Sequence, residues 1–135
     1  MFTQATTIIN RPTTEVYAFL ADIRLQLPLW EIFYIPGLKD LEDGVNEAEG
    51  EYKSGETVLH CSINIHHSRP GAGLVTRVQT ACGEMAAEWR IIDESGLTRV
   101  EVNIEGMGGG PTSSISIRQL APRLVSHLKQ HFDKT

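Results

Sequence analysis

Five histidines and two cysteines are the side chains of this 135-residue sequence best suited to metal or nucleophilic chemistry. Their spacing permits little of it. His127 and His131 stand at the i, i+4 interval that puts two imidazoles on one helix face, as in a zinc protease. Leu128 follows His127 where that motif needs glutamate, and no third ligand converges. Two solvated histidines near a helix C-terminus, where positive charge is favoured, are the simpler reading. His66 and His67 are adjacent and face opposite ways in a strand, while His60 and His66 share a face but lie ~20 Å apart at strand rise. No metal and no cofactor is expected. Cys61 and Cys82 have neither metal nor redox spacing, so both read as reduced thiols of a cytoplasmic protein, Cys61 in an apolar phase.

Acid–base chemistry is equally thin. Glu88, Arg90, Glu101 and Asn103 alternate away from the apolar positions of their segments. Tyr17, Tyr34, Ser62 and Asn64 would reach inward only through a bulge or a reversed facing. No Ser-His-Asp or Cys-His arrangement is readable. The run Gly106-Met107-Gly108-Gly109-Gly110-Pro111 lacks the Lys-Ser/Thr of a phosphate loop and the spacing of a dinucleotide fingerprint, so it reads as a hinge or cavity rim. What remains is apolar. Phe19, Trp30, Phe33, Tyr34, Cys61, Ile63, Met85, Trp89, Val102, Leu120 and Leu124 are candidates to line a lipophilic pocket, against the alternative that they are plain core.

Composition excludes several classes. Net charge is -5, with no basic stripe carrying interleaved aromatics, so nucleic-acid binding is not expected. The acids between Glu31 and Glu56 read as a solvated loop or edge. No apolar run approaches the ~20 residues of a membrane span, and Met1–Asn10 lacks the regions of a signal peptide. One domain over 1–135 is expected. A homodimer is left open, without positive indication.

These side chains must be positioned by a small set of elements. Phe2 to Ile9, rich in threonine and isoleucine, predicts a strand. Asn10 or Arg11 is expected to cap a helix with Pro12 in its first turn. Val16, Phe19, Leu20 and Ile23 form its apolar stripe. A short second helix fits Ile23 to Leu27, with Pro28 ending it. A loop follows, then a strand near Leu38 to Asp43; Gly44 to Ser54 reads as another loop. Period-two alternation predicts antiparallel strands at Glu56–His66, Leu74–Thr80, Glu84–Ile92 and Thr98–Glu105, joined by tight turns. Thr112 to Ser114 can cap a last helix with the stripe Ile117, Leu120, Ala121, Leu124, Leu128 and Phe132. Either that helix kinks at Pro122, or its regular part starts near Gln119.

The order of these elements, the opening TTIINRPTTEVYAFLAD, the following LPLW and the later GLTRVEV resemble the START-like (SRPBCC) superfamily. That group includes polyketide cyclases and dehydrases, lipid-transfer domains and the birch-pollen-allergen type. Ile9-Asn10-Arg11-Pro12 matches its strand-to-helix junction. Val16, Phe19 and Leu20 match its first helix, Trp30 the aromatic after its second, and Gly96-Leu97-Thr98-Arg99-Val100 the hairpin into its last strand. The resemblance covers the whole chain in topology and implies an α+β helix-grip fold. In that fold a curved antiparallel sheet, here of six to seven strands, wraps a long C-terminal helix over a hydrophobic cavity, with two short helices after the first strand. The family has no universal catalytic motif to carry over. The expected function is binding, and through it transport, of a small hydrophobic or amphipathic ligand. The alternatives are a cyclase/dehydrase-like enzyme using the same cavity, and a protein-interaction module whose interior is only core.

Overall fold

Alternating residues and two prolines account for most of the architecture. The computed structural model describes residues 2–54, 57–81, 83–108 and 117–134, with the backbone alone for 53, 54, 57, 107, 108 and 117. Strand β1 (Phe2–Ile9) leads into α1 (Thr13–Ala21) and α2 (Ile23–Gln26), then a 3-10 turn at Leu27–Leu29. Strands β2 (Phe33–Tyr34), β3 (Glu47–Ser54), β4 (Thr57–Arg69), β5 (Gly73–Thr80), β6 (Gly83–Glu94) and β7 (Leu97–Gly108) follow, and α3 (Ile117–Asp133) closes the order. The seven strands form one antiparallel sheet in the order β1-β7-β6-β5-β4-β3-β2. This is the α+β helix-grip arrangement, a curled half-barrel closed by its C-terminal helix.

The break after α1 is made by Asp22, whose extended backbone ends one helix while its carboxylate caps the next by accepting from Arg24 N at 3.0 Å. Pro28 sits inside the 3-10 turn, where its missing N–H leaves no bond unmade. Val16, Phe19, Leu20, Ile23, Leu27, Leu29 and Trp30 are all buried by this bent segment. Neither Asn10 nor Arg11 caps α1. Pro12 is the N-cap residue, its carbonyl starting the helix, while Arg11 O is taken by the buried Thr98 hydroxyl at 2.6 Å.

Two expectations for the middle of the chain are corrected. Leu38–Asp40 is a 3-10 turn entered through Gly37 in left-handed backbone, not a strand. Gly44–Ser54 is not a loop, because β3 occupies Glu47–Ser54, with Ala48, Gly50 and Tyr52 inward and Glu47, Glu49 and Glu51 in solvent. The charged outer row hid an inner row of small residues. The last strand runs on through Gly106 to Gly108; the remaining glycines, the Thr112–Ser114 cap and Cys82 lie outside the described residues.

Pro122 lies within α3. A proline there cannot donate to the carbonyl four residues back. That carbonyl, Arg118 O, instead accepts from Thr3 Oγ1 on β1 at 3.2 Å. The core is one cluster between the sheet's inner face, α1–α2 and the Leu120, Ala121, Leu124, Val125, Leu128 and Phe132 face of α3. No helix among the described residues is long and apolar enough to cross a membrane.

Candidate ligand-binding interior

The inner face is built by register. Thr3, Ile104, Ala87, Thr76 and Ile65 stand in one rank across five strands, and Ala5, Val102, Trp89 and Leu74 in the next. Met85, Val78, Ile63 and Ala48 form a third. A register shift between His66 and Arg69 bends the long β4, as a curled sheet needs.

One polar network is enclosed in this face. Gln26 Nε2 donates to Leu20 O at 2.6 Å, and Gln26 Oε1 accepts from Thr76 Oγ1 at 2.6 Å and from Trp30 Nε1 at 3.3 Å. Thr76 Oγ1 in turn accepts from Trp89 Nε1 at 3.2 Å. Gln26, Thr76 and Trp89 are fully buried. Leaving any of these groups unpaired would cost about 1–3 kcal/mol, so the network fixes α2 on β5 and β6. It also commits both indole N–H groups, so that Trp30 and Trp89 turn only apolar surface to their remaining neighbours. The sequence reading missed Gln26 and Thr76. The available signal was a polar residue in an apolar phase: Thr76 between Leu74 and Val78, and Gln26 three residues after Ile23.

The candidate residues divide by place. Cys61, Ile63, Met85, Trp89 and Val102 are buried on the inner face, and Leu120 and Leu124 are buried on α3 opposite. Burial pushes the Cys61 thiol up to about 11, Glu51 adding to the effect and a Gly50 backbone hydrogen bond opposing it. Phe19 belongs to the α1–α3 contact, its ring 4.4 Å from that of His131 and 5.3 Å from that of Phe132. Trp30, half-buried Phe33 and the unforeseen Tyr52 make an aromatic chain with centroid separations of 5.8 and 6.4 Å. Tyr34 lies away from the inner face, at the rim cleft beside Phe33. It neighbours Phe33 on a two-residue strand, so the two point to opposite sides, and Tyr34 is 65% exposed. Gly50 makes this edge fit, since a Cβ there would lie 2.4 Å from Tyr34 O and 2.7 Å from Ile35 Cγ1.

The helix is held differently along its two sides. Toward β1, Lys129 Nζ donates to Ile8 O at 3.1 Å and Arg11 Nη2 to Phe132 O at 3.4 Å, beside the Thr3–Arg118 bond. Toward the 3-10 turn, His127 Nδ1 lies 2.9 Å from Leu29 O and its Nε2 3.0 Å from Glu31 Oε1. A carbonyl only accepts, so Nδ1 carries the proton in the first contact. Arg123 Nη2 is 3.9 Å from the same Glu31 oxygen. Glu31 stands in left-handed backbone, φ 61°, a conformation uncommon for a side-chain-bearing residue. Thus the two histidines expected to be free in solvent have separate duties: His127 ties α3 to Leu29 and Glu31, and His131 stacks near Phe19.

The described clefts lie on the outer face and rims. One of about 480 Å³ spans the polar outer surface of β3–β5, between Glu47, Glu49, Ser62, Asn64, Arg77 and Gln79. Another, of about 340 Å³, lies against Glu31, Ile32, Phe33, Tyr34, Glu51 and Val58. A third borders the clamp in which Arg24 holds Asp22 bidentately and reaches Asp43 at 2.6 Å and Leu41 O at 3.1 Å. The hydrogen bond from Arg24 holds the Asp22 carboxyl below its usual range. Among the described residues no group of three or more His, Cys, Asp or Glu is placed to hold a metal.

No family model matches the chain, and no curated protein matches it. Solved structures do. A START superfamily protein from Mycobacterium smegmatis superposes with a TM-score of 0.70 at 9% identity, over 98% of this chain and 97% of that one. A conserved protein from Geobacillus kaustophilus gives 0.68 at 12% identity, over 99% and 96%. DynU16, a protein of the dynemicin biosynthetic locus, gives 0.64 at 15% identity; the match covers 98% of this chain and 47% of that longer one. At these identities the likeness is one of fold, and the fold is START-like.

Proposed function

We propose that this protein binds a small hydrophobic or amphipathic molecule between the inner face of its sheet and α3, in the cytoplasm. The observation that carries the reading is the internal satisfaction of the inner face. The buried Gln26–Thr76–Trp89–Trp30 network is satisfied within the protein, ending on Leu20 O, so the rest of that face has apolar contact to offer. Burial of apolar ligand surface, about 25 cal/mol per Å² before ordering costs, is the driving force such a face supplies. Cys61 is buried on that face, and its burial favours the neutral thiol. An inert thiol suits a binding wall better than an acid–base site. The START-like neighbours support a grip that holds a ligand, although fold by itself assigns none.

Native mass spectrometry of freshly purified protein, paired with thermal-shift screening of an apolar and amphipathic library, tests the reading. A co-purifying small molecule or a reproducible stabilisation by apolar compounds is expected. No retained mass together with no shift across the library would refute it.

A further inference from the structure

The side of α3 that faces Glu31 is built like an occupied carboxylate site. His127 and Arg123, one turn apart on α3, both aim at a single oxygen, Glu31 Oε1, at 3.0 and 3.9 Å. His127 is oriented for this by its other nitrogen, fixed on Leu29 O at 2.9 Å. The carboxylate they receive comes from a residue held at φ 61°, at the bend between the buried Trp30 and the half-buried Phe33. The pair is about half exposed, so the internal contact contributes little to stability and is readily exchanged. Beside it lies the cleft of about 340 Å³ walled by Ile32, Phe33, Tyr34 and Val58. Its Phe33 wall continues into the core through Trp30 and Tyr52. Glu51, the cross-strand partner of Tyr34, is the other acid of that cleft, and its charge disfavours a carboxylate there, whereas Arg123 on α3 favours one.

We propose that this seam is the ligand's portal, and that the ligand is a monocarboxylic acid with an apolar body. Its carboxylate displaces Glu31 from His127 and Arg123, and its body follows Phe33 inward. Glu31 is then an internal competitor that keeps the empty portal shut. The proposal rests on the binding reading above and adds a head-group preference and a location to it.

Calorimetric titration of the full chain with decanoic acid and with decan-1-ol, which share a chain and differ in charge, separates the two claims. The acid is expected to bind about tenfold more tightly than the alcohol, the scale of a charge-assisted pair. In Arg123→Gln and His127→Gln that ratio should fall toward one. In Glu31→Gln, which removes the competitor, it should rise severalfold. Arg123 is half exposed, so its variant tests the ratio without endangering the fold. Equal binding of acid and alcohol, or a preference for acid that none of the three variants alters, overturns the carboxylate portal and leaves the binding reading standing. If neither probe nor any library compound binds, the binding reading fails and this inference with it.

Discussion

The two sides of α3 are fastened by different physics. Along β1 the helix gives up its proline-orphaned carbonyl to Thr3 and lends Lys129 to Ile8 O, and beside that strand Phe132 packs on Phe19 of α1. These bonds pair backbone carbonyls of the helix and of β1, and they cover an edge strand that would otherwise be open. Along the 3-10 turn, the helix meets Leu29 O and the partly exposed carboxylate of Glu31, a left-handed residue, and the strand that follows has only two residues. One side is required by the fold. The other is closed at little cost and can open at little cost. A grip that admits a ligand needs this inequality, because local opening follows the least stabilised contacts.

Substitutions that strike what both sides share should do most damage. Leu124→Ala or Leu128→Ala removes a fully buried side chain of the gripped face. The expected loss is about 2–5 kcal/mol by denaturant titration, since the cavity term adds to the transfer term. Gln26→Leu strands Thr76 and Trp30 in the core and should cost about 2–4 kcal/mol, with Trp30 fluorescence reporting the lost contact. A change near zero would show that the network relaxes onto water.

The next pair compares the sides directly. Thr3→Val orphans Arg118 O and should cost about 1–2 kcal/mol. Gly50→Ala should cost about 1–3 kcal/mol by forcing β2 away from β3, and its effect should be local, loosening amides of residues 33–35 while β1 keeps its protection. Glu31→Gly is the contrast. It relieves about 1 kcal/mol of left-handed backbone strain and gives up the partly exposed contacts with Arg123 and His127, worth about 0–1 kcal/mol, so global stability should hardly move. A large loss from Glu31→Gly would make the two sides alike and remove the basis for an opening seam.

The smallest effect concerns pH. Asp22 has its carboxyl value lowered by Arg24, so the clamp on residues 41–43 contributes stability above the unfolded value of 3.8 and loses it as pH falls further. Exchange in residues 41–45 should rise below about pH 4 in the wild type, ahead of global unfolding, and should be raised already at neutral pH in Asp22→Asn.

Much of this was legible in the sequence because burial writes itself as a period. The stripes Val16–Ile23 and Leu120–Phe132 and the alternation in β4, β6 and β7 placed the grip correctly. β3 was illegible because glutamates on its wet face outweigh Ala48, Gly50 and Tyr52 on its dry one. The facing of Tyr34 was illegible for a related reason: a two-residue strand is too short to show which of Phe33 and Tyr34 turns inward. Gln26, Thr76 and the Glu31–His127 contact join residues 50 to 96 positions apart in the chain, and no local pattern announces such pairs.

Hydrogen exchange by mass spectrometry, with and without decanoic acid, tests most directly whether the helix opens on one side to take a ligand. Without ligand, peptides spanning Leu27–Tyr34 should exchange faster than those of β1. With ligand, protection should rise there and in the middle of α3 around Arg123–His127, while β1 and its pairing with β7 stay unchanged. Protection that rises along β1 instead, or a seam that exchanges no faster than β1 in the free protein, would contradict the account.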